Sequence, residues 1–343
     1  MKKKILVVDD SAVVRRFLVK LLEENGYETD IAKNGREAIE KIENNRYSLV
    51  TLDYEMPEKD GLEVLEEIMT KNPTRVLMIS AYTTDSAEIT LRALELGAID
   101  YILKPKNALE IPKISTEILE KIKHVLLIPN RKLNNNPVQF KTHDVDINTD
   151  INMGFVLIGA STGGPRLIEK ICKALPRNYP HAVCVVQHMP VEFTANFAKR
   201  LNSLCEVEVL EADNGTRLQP ARVIIAKGGY HLHFRKKLNT FVTKLTQNTN
   251  NRFFVPSVDE MFLSAAEVLP AEKILAVELT GIGDDGADGM VELRKKGAYT
   301  IAESEKTAVV YGMPKEAYVR GGASKVLDFN DILNEIIRYG QTK

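Results

Sequence analysis

The sequence has few cysteines, no long apolar run and almost no net charge. Its three cysteines, Cys172, Cys184 and Cys205, cannot form a paired disulfide framework, so we expect reduced thiols in a cytoplasmic protein. No stretch approaches the roughly 18 apolar residues of a membrane span. The run after the opening "MKKK" is short, as expected of a first strand rather than an export signal. A net charge of −1 gives no reason to expect a nucleic-acid partner.

Apolar runs alternate with amphipathic stretches in two regions of the 343-residue chain. In the first region they predict a domain over 1–123 with a parallel sheet and helices on both faces, because parallel strands need crossovers. The asparagine-rich stretch 124–152 offers little apolar surface, and we interpret it as a linker. The second region predicts another α/β domain over 153–343, with a mostly parallel sheet.

Five polar side chains lie at or just after the carboxyl ends of strands predicted in the first domain. Asp9 and Asp10 come after "KILVV", and Asp53 closes "SLVTLD". Ser80 and Lys104 end the fourth and fifth runs. Because ligands bind beyond the carboxyl ends of parallel strands, these groups are expected to converge. Each aspartate alone could be a helix cap, but clustered carboxylates favour a divalent cation such as Mg²⁺ and attack on a phosphoryl donor.

Residues 4 to about 122 resemble a response-regulator receiver domain. The likeness lies in the acidic pair, in "LDYEMPEKDG", in "ISAY" and in "DYILKP". The resemblance implies a flavodoxin-like, doubly wound parallel sheet. It also implies that Asp53 is the phosphorylation site and that Asp9, Asp10 and Asp53 hold Mg²⁺.

The same resemblance implies roles for four more residues. Ser80 and Lys104 would contact the phosphoryl group. Tyr101 would be the aromatic side chain that moves on activation. Pro105 is similar to the cis-proline position of the family.

In the second domain, Ser161 stands where an apolar strand enters a glycine-rich turn. The segment Gly159–Gly163 satisfies G-x-S-x-G, which exposes a nucleophile in some α/β enzymes but also fits an ordinary turn. No Gly-Lys-Ser/Thr closes it as a phosphate loop, and G-x-G-x-x-G is absent. His188 and the pair Asp284 and Asp285 follow other apolar strands, so a serine, a base and a carboxylate are expected at one sheet edge.

This second domain resembles the catalytic domain of the CheB family of chemotaxis methylesterases. "IGASTGGP", "QHMP" and "LTGIGDDGADGM" carry the likeness. The resemblance implies that Ser161 is the nucleophile, His188 the base and Asp285 its orienting carboxylate. Backbone N–H groups of Thr162 and Ile282 would bind the oxyanion, and no cofactor is expected at this site.

The resemblance also implies a function and partners. Glutamate γ-methyl esters of chemoreceptors would be hydrolysed to methanol and glutamate, and receptor glutamines would be deamidated. A chemotaxis histidine kinase would be the phosphodonor, and contact with membranes would be through the receptors only. An unphosphorylated receiver would cover the cleft. Two alternatives stay open at this point: a phosphorylation-gated receptor-binding module without chemistry, and a hydrolase of small esters.

Four other residues have less definite roles. His231 and His233 share a face if "YHLHF" is a strand, which could form a metal site, although no third ligand is evident. A structural or site-lining role is the stronger expectation for both. Tyr311 is expected to pack rather than to react, and Asp284 to lie in a surface turn.

Overall fold

The computed structural model describes residues 2–81, 84–104, 111–129 and 152–339. The chain separates into two compact units, Met1–Pro137 and Val138–Lys343. Pro105 and most of the predicted linker lie outside the described residues. Among the described helices, none is both long and apolar enough to cross a bilayer.

The first unit is built from five strands and five helices that alternate along the chain. The strands are β1 (Lys4–Val8), β2 (Glu28–Ala32), β3 (Leu49–Asp53), β4 (Val76–Ser80) and β5 (Asp100–Leu103). The helices are α1 (Ala12–Glu24), α2 (Gly35–Asn44), α3 (Gly61–Lys71), α4 (Thr84–Leu96) and α5 (Ile111–Val125). All strands are parallel, in the order β2-β1-β3-β4-β5. This is the flavodoxin-like order, so the predicted fold of this unit is confirmed.

Burial along this sheet explains the order of its strands. The central β3 (LVTLD) and β4 (VLMIS) are buried at every position, as expected when helices cover both faces of a parallel sheet. The edge strand β2 (ETDIA) is buried only at Ala32. The winding direction reverses between β1 and β3, where a doubly wound sheet binds its ligands. The acidic residues Asp9, Asp10 and Asp53 follow or end these two strands.

The second unit contains a seven-stranded sheet and a separate hairpin. Its strands are β6 (Phe155–Ala160), β7 (Ala182–Gln187), β8 (Glu208–Glu211), β9 (Arg222–Ile225), β10 (His231–Lys237), β11 (Thr240–Thr246), β12 (Ile274–Glu278), β13 (Tyr299–Glu303) and β14 (Lys325–Leu327). Its α-helices are α6 (Gly164–Ala174), α7 (Val191–Leu204), α8 (Val258–Val268), α9 (Ala287–Lys295), α10 (Met313–Val319) and α11 (Phe329–Ile337). The sheet order is β14-β13-β12-β6-β7-β9-β8, and all its strands are parallel.

The mostly parallel sheet predicted for the second unit is confirmed. The alternating apolar runs of this region form β6 (FVLIGA), β7 (AVCVVQ), β9 (RVII), β12 (ILAVE) and β13 (YTIAE). The sequence analysis missed β8 (EVLE) and β14 (KVL), because both are short edge strands with charged residues. The hairpin β10–β11 is antiparallel and forms its own sheet.

The topology of the second sheet places three strand ends together. β6 lies between β7 on one side and β12 on the other. The chain leaves β6 toward β7 and returns on the opposite side at β12, so the winding direction reverses at β6. Loops after these three strands therefore meet at the crevice where ligands bind in such sheets.

Candidate functional site

Strand register brings Ser161 and His188 side by side. Ala160 and Gln187 are paired at the ends of β6 and β7, and Ser161 and His188 are the next residues of each strand. The His188 N–H donates to the Ala160 carbonyl at 3.0 Å, which continues the ladder by one residue. The two residues predicted to be catalytic therefore lie next to each other at the carboxyl ends of adjacent strands.

The turn after β6 is tightly packed around Ser161. Gly163 adopts φ +80°, and a Cβ there would lie 2.7 Å from the Val309 side chain, so glycine is required for two reasons. The helix α6 begins at the next residue. The Gln187 side-chain amide donates to the Ser161 carbonyl at 3.0 Å. Ser161 is thus held at the positive end of a helix dipole, where negative charge is favoured.

The loop after β12 lies against the same turn. A Cβ on Gly281 would stand 2.9 Å from the Cβ of Ser161, so only glycine allows this approach. The Thr280 hydroxyl donates to the Thr162 carbonyl at 2.8 Å, which joins the loop after β12 to the turn after β6. Ile282 follows Gly281 directly. The two residues predicted to bind an oxyanion, Thr162 and Ile282, therefore belong to neighbouring loops.

Asp285 and His188 form a direct hydrogen bond. The distance from His188 Nε2 to Asp285 Oδ2 is 2.8 Å. A carboxylate only accepts, so Nε2 carries a proton, and in the neutral form of the ring Nδ1 keeps its lone pair. Nδ1 is buried and has no hydrogen-bond partner within the described residues, so no hydrogen bond joins it to the Ser161 hydroxyl here. Catalytic hydrogen bonds often tighten only when substrate is bound.

The first turn of α8 surrounds the Asp285 carboxylate with donors. The Ser257 hydroxyl donates to Oδ1 at 2.7 Å, the Val258 N–H to Oδ2 at 2.7 Å and the Asp259 N–H to Oδ1 at 3.1 Å. Burial alone would raise the pKa of Asp285, but the hydrogen bonds from His188 and from this helix start lower it to about 2. The carboxylate is therefore ionised at neutral pH.

The sequence analysis missed the contribution of α8. Its signal is "SVDE", a serine at the N-cap with glutamate three residues later, which is typical of a helix start. The Glu260 N–H donates to the Ser257 hydroxyl at 3.3 Å, as that pattern requires. The pattern does not indicate that the same helix start binds Asp285, because that contact spans 28 residues of sequence.

The ring of Phe254 stacks on His188. The two ring centroids are 3.9 Å apart and the planes differ by 10°. Phe253 touches Phe254 edge to face and is 63% exposed. Phe254 covers one face of the His188 imidazole, and no sequence motif predicted this contact.

Four other residues singled out in the sequence have partners outside the group Ser161, His188 and Asp285. The side chain of Asp284 is 61% exposed and forms an ion pair with Arg320, in agreement with its expected place in a surface turn. His231 and His233 are 6.4 Å apart between ring centroids, and no cluster of metal-ligating groups within the described residues includes them. Tyr311 forms a bridge with Gly281 through its backbone.

In the first unit, three carboxylates meet at the predicted edge. Single oxygens of Asp9, Asp10 and Asp53 lie within 4.8 Å of one another. Lys104 Nζ lies 2.6 Å from Asp53 Oδ2 and 3.2 Å from Asp9 Oδ2. Burial and then repulsion by Asp9 raise the pKa of Asp53 to about 6, against the opposing effect of Lys104. Oxygen donors at this spacing fit Mg²⁺, which would relieve the repulsion.

Ser80 ends β4, which neighbours β3, and Tyr101 lies within β5; both residues have partners outside the acidic cluster. The Ser80 and Thr90 hydroxyls are 2.8 Å apart. Tyr101 is 5% exposed, and Lys121 Nζ lies 5.0 Å from its ring centroid. The structure therefore brings Asp9, Asp10, Asp53 and Lys104 together, while Ser80 faces Thr90 and the Tyr101 ring is buried.

A flavodoxin-like unit with an acidic cluster, followed by an α/β unit with a serine-histidine-aspartate edge, defines a response regulator with a hydrolase output domain. The receiver-domain family model matches residues 5–115. The family model described as CheB methylesterase matches residues 156–336. The chain belongs to the CheB methylesterase family, as its motifs predicted.

Relatives of known name are similar over the full length of the chain. A protein-glutamate methylesterase/protein-glutamine glutaminase 2 of Carboxydothermus hydrogenoformans is 43% identical and covers 98% of each chain. A protein-glutamate methylesterase/protein-glutamine glutaminase of Archaeoglobus fulgidus is 41% identical and covers 99% of each. The crystal structure of the Thermotoga maritima CheB methylesterase catalytic domain is 38% identical, with a TM-score of 0.52. The match covers 55% of this chain and 99% of the Thermotoga maritima domain.

Proposed function

We propose that this protein hydrolyses glutamate γ-methyl esters on chemoreceptors when its receiver is phosphorylated, and that it also deamidates receptor glutamines. The observation that carries this proposal is the convergence of Ser161, His188 and Asp285 on three adjacent strand ends. The names of full-length relatives support the substrate class. The domain assignment proposed is a receiver over 1–123, a linker over 124–152 and a catalytic domain over 153–343.

In the proposed reaction the Ser161 hydroxyl attacks the γ-carbonyl carbon of the methylated glutamate. His188 Nδ1 takes the hydroxyl proton, since its Nε2–H is committed to Asp285. The ionised Asp285 stabilises the imidazolium that forms. The proton then passes from His188 to the methoxy oxygen, and methanol leaves as the acyl-serine forms.

The loops after β6 and β12 would stabilise the negative charge on the oxygen of the tetrahedral intermediate. Backbone N–H groups of Thr162 and Ile282 are the proposed donors, and such a donor is worth about 3–4 kcal/mol in other serine hydrolases. Water activated by His188 then attacks the acyl-serine and releases glutamate. The same steps on a glutamine side chain release ammonia.

Control of this activity is assigned to the first unit. Asp53 would accept the phosphoryl group from a histidine kinase, with Lys104 contacting it and Ser80 and Tyr101 responding. Asp9, Asp10 and Asp53 would hold Mg²⁺, which neutralises charge on the phosphoryl oxygens. A tenfold activation needs only about 1.4 kcal/mol of difference between inactive and active arrangements.

A serine-directed fluorophosphonate tests the catalytic proposal without any receptor. We expect covalent labelling that peptide mass spectrometry maps to Ser161 and that the variant Ser161→Ala loses. The matched control is Ser203→Ala, which removes an exposed serine hydroxyl on α7 and should leave labelling unchanged. An unlabelled folded enzyme would favour a receptor-binding module without chemistry.

A further inference from the structure

His231 is a buried histidine beside the proposed catalytic site that the reaction steps do not use. It begins β10 and is 2% exposed. Its Nδ1 lies 3.2 Å from the Ser257 backbone nitrogen, and its Nε2 lies 3.2 Å from Asn248 Oδ1. Both ring nitrogens therefore have a partner, each from a different segment of the chain.

These two contacts fix the tautomer of His231. A backbone N–H can only donate, so Nδ1 is the acceptor for Ser257 and the proton is on Nε2. Asn248 Oδ1 accepts the hydrogen bond from this Nε2–H and a second one from the backbone N–H of Arg252 at 2.9 Å. The Asn248 amide donates in turn to the Arg252 carbonyl at 2.9 Å. The ring of His231 is thus fixed in both position and tautomer.

Ser257 transmits this constraint to Asp285. It is the N-cap of α8, and its hydroxyl donates to Asp285 Oδ1 at 2.7 Å. The next two backbone N–H groups also donate to Asp285. Because consecutive peptide planes move together, a shift of the Ser257 backbone would move every one of these donors. Asp285 would then lose the geometry that orients His188.

We propose that His231 is a positioning residue for ester hydrolysis: by accepting the Ser257 N–H, it holds the start of α8 against Asp285. The proposal rests on the function proposed above, because it assumes that His188 is the base. His231 does not touch the reacting atoms. Its effect reaches them through Ser257, then Asp285, then His188.

Two amide variants separate this role from simple core packing. In His231→Asn the amide oxygen can take the place of Nδ1 and accept the Ser257 N–H. In His231→Gln the longer side chain carries its polar atoms at the level of Nε2, so it can reach Asn248 but leaves Ser257 without an acceptor. Both variants keep a polar side chain of similar size. His233→Asn is the matched control, because His233 contacts Glu260 at 3.1 Å and not Ser257.

The expected results concern kcat rather than KM. His231→Gln should lower kcat for methanol release by about 10- to 100-fold, the range seen when a hydrogen bond that orients a ligand of a metal site is lost, with KM unchanged. His231→Asn should recover most of that loss, and His233→Asn should stay within about twofold of the original enzyme. The downfield proton resonance of the His188–Asp285 hydrogen bond should weaken in His231→Gln alone.

Several outcomes would overturn the proposal. Equal kcat values for His231→Asn and His231→Gln, whether high or low, would show that the Ser257 contact does not matter. Loss of folding in both variants, measured by thermal unfolding, would assign His231 to stability of the hairpin instead. The rate at which the fluorophosphonate labels Ser161 in the same variants reports the reactivity of the serine without any receptor substrate. It therefore tests the role of His231 independently of the proposed substrate. Labelling without methanol release in the unmodified enzyme would refute the proposed function, not the role of His231.

Discussion

Asp284 and Asp285 are adjacent in sequence, but only Asp285 bonds to His188. The Asp285 side chain is 10% exposed, whereas that of Asp284 is 61% exposed and paired with Arg320. Gly286, in the left-handed region at φ +98°, turns the chain into α9 immediately after them. One carboxylate is therefore directed into the site and the other into solvent.

The first prediction compares these two neighbours. Asp285→Asn cannot stabilise the imidazolium, and its amide can favour the wrong tautomer of His188, so kcat should fall about 10⁴-fold. Asp284→Asn should change kcat by less than about twofold, since exposed ion pairs contribute little. Steady-state methanol release measures both. Similar losses in the two variants would contradict the assigned carboxylate.

The second prediction concerns the ring stacked on His188. Phe254→Ala should lower kcat about tenfold, because a stacked aromatic pair contributes about 0.5–1.5 kcal/mol and holds the imidazole plane. Phe253→Ala removes the exposed neighbour and should leave kcat within about twofold. Kinetics on one methylated substrate compare the two. An unchanged kcat in Phe254→Ala would show that the loops alone orient His188.

The third prediction concerns phosphorylation. Asp53→Asn should abolish activation by a small phosphodonor such as acetyl phosphate and leave basal turnover measurable. The reason is that an amide cannot form the acyl phosphate, while the second unit keeps its own site. Rates with and without donor are compared in both proteins. Donor-dependent activation that survives in Asp53→Asn would place the phosphorylation site elsewhere.

The fourth prediction concerns a buried carboxyl group. Glu278 is 0% exposed, and neither of its oxygens has a hydrogen-bond partner within the described residues. Burial and then repulsion by Asp285 and Asp259 raise its pKa well above the ordinary value. Between the ordinary pKa of a glutamate and the raised pKa of Glu278, the folded protein therefore keeps a proton that the unfolded chain has released. Stability must fall as pH rises through this interval.

Glu278→Gln removes that dependence because glutamine does not titrate. The free energy of unfolding of the variant minus that of the original protein should therefore increase with pH from about pH 5 upward. The limiting slope is about 1.4 kcal/mol per pH unit. Denaturant unfolding across this range measures the difference. A constant difference at all pH values would mean that Glu278 does not have a raised pKa.

Much of the fold was predictable from local patterns, because short apolar runs bounded by polar residues form the central strands. Ser161, His188 and one aspartate of the pair Asp284 and Asp285 were predicted as a group because parallel strands end at a common edge. The family resemblance then implied Asp285. The α8 donors, the Phe254 stack and the role of His231 were not predictable in this way. Each depends on packing between segments far apart in sequence, such as the contact between Ser257 and Asp285. Short edge strands such as β8 have too few apolar residues to be recognised.

The most direct test of the central claim is methanol release from methylated receptor membranes by the full chain and by Ser161→Ala, each with and without a phosphodonor. The proposed function predicts that the donor raises release by the unmodified protein. It predicts that Ser161→Ala loses release by about 10⁶-fold, as a triad serine does in subtilisin, with or without donor. Near-normal release by folded Ser161→Ala would contradict the assignment of Ser161, His188 and Asp285 as the catalytic group.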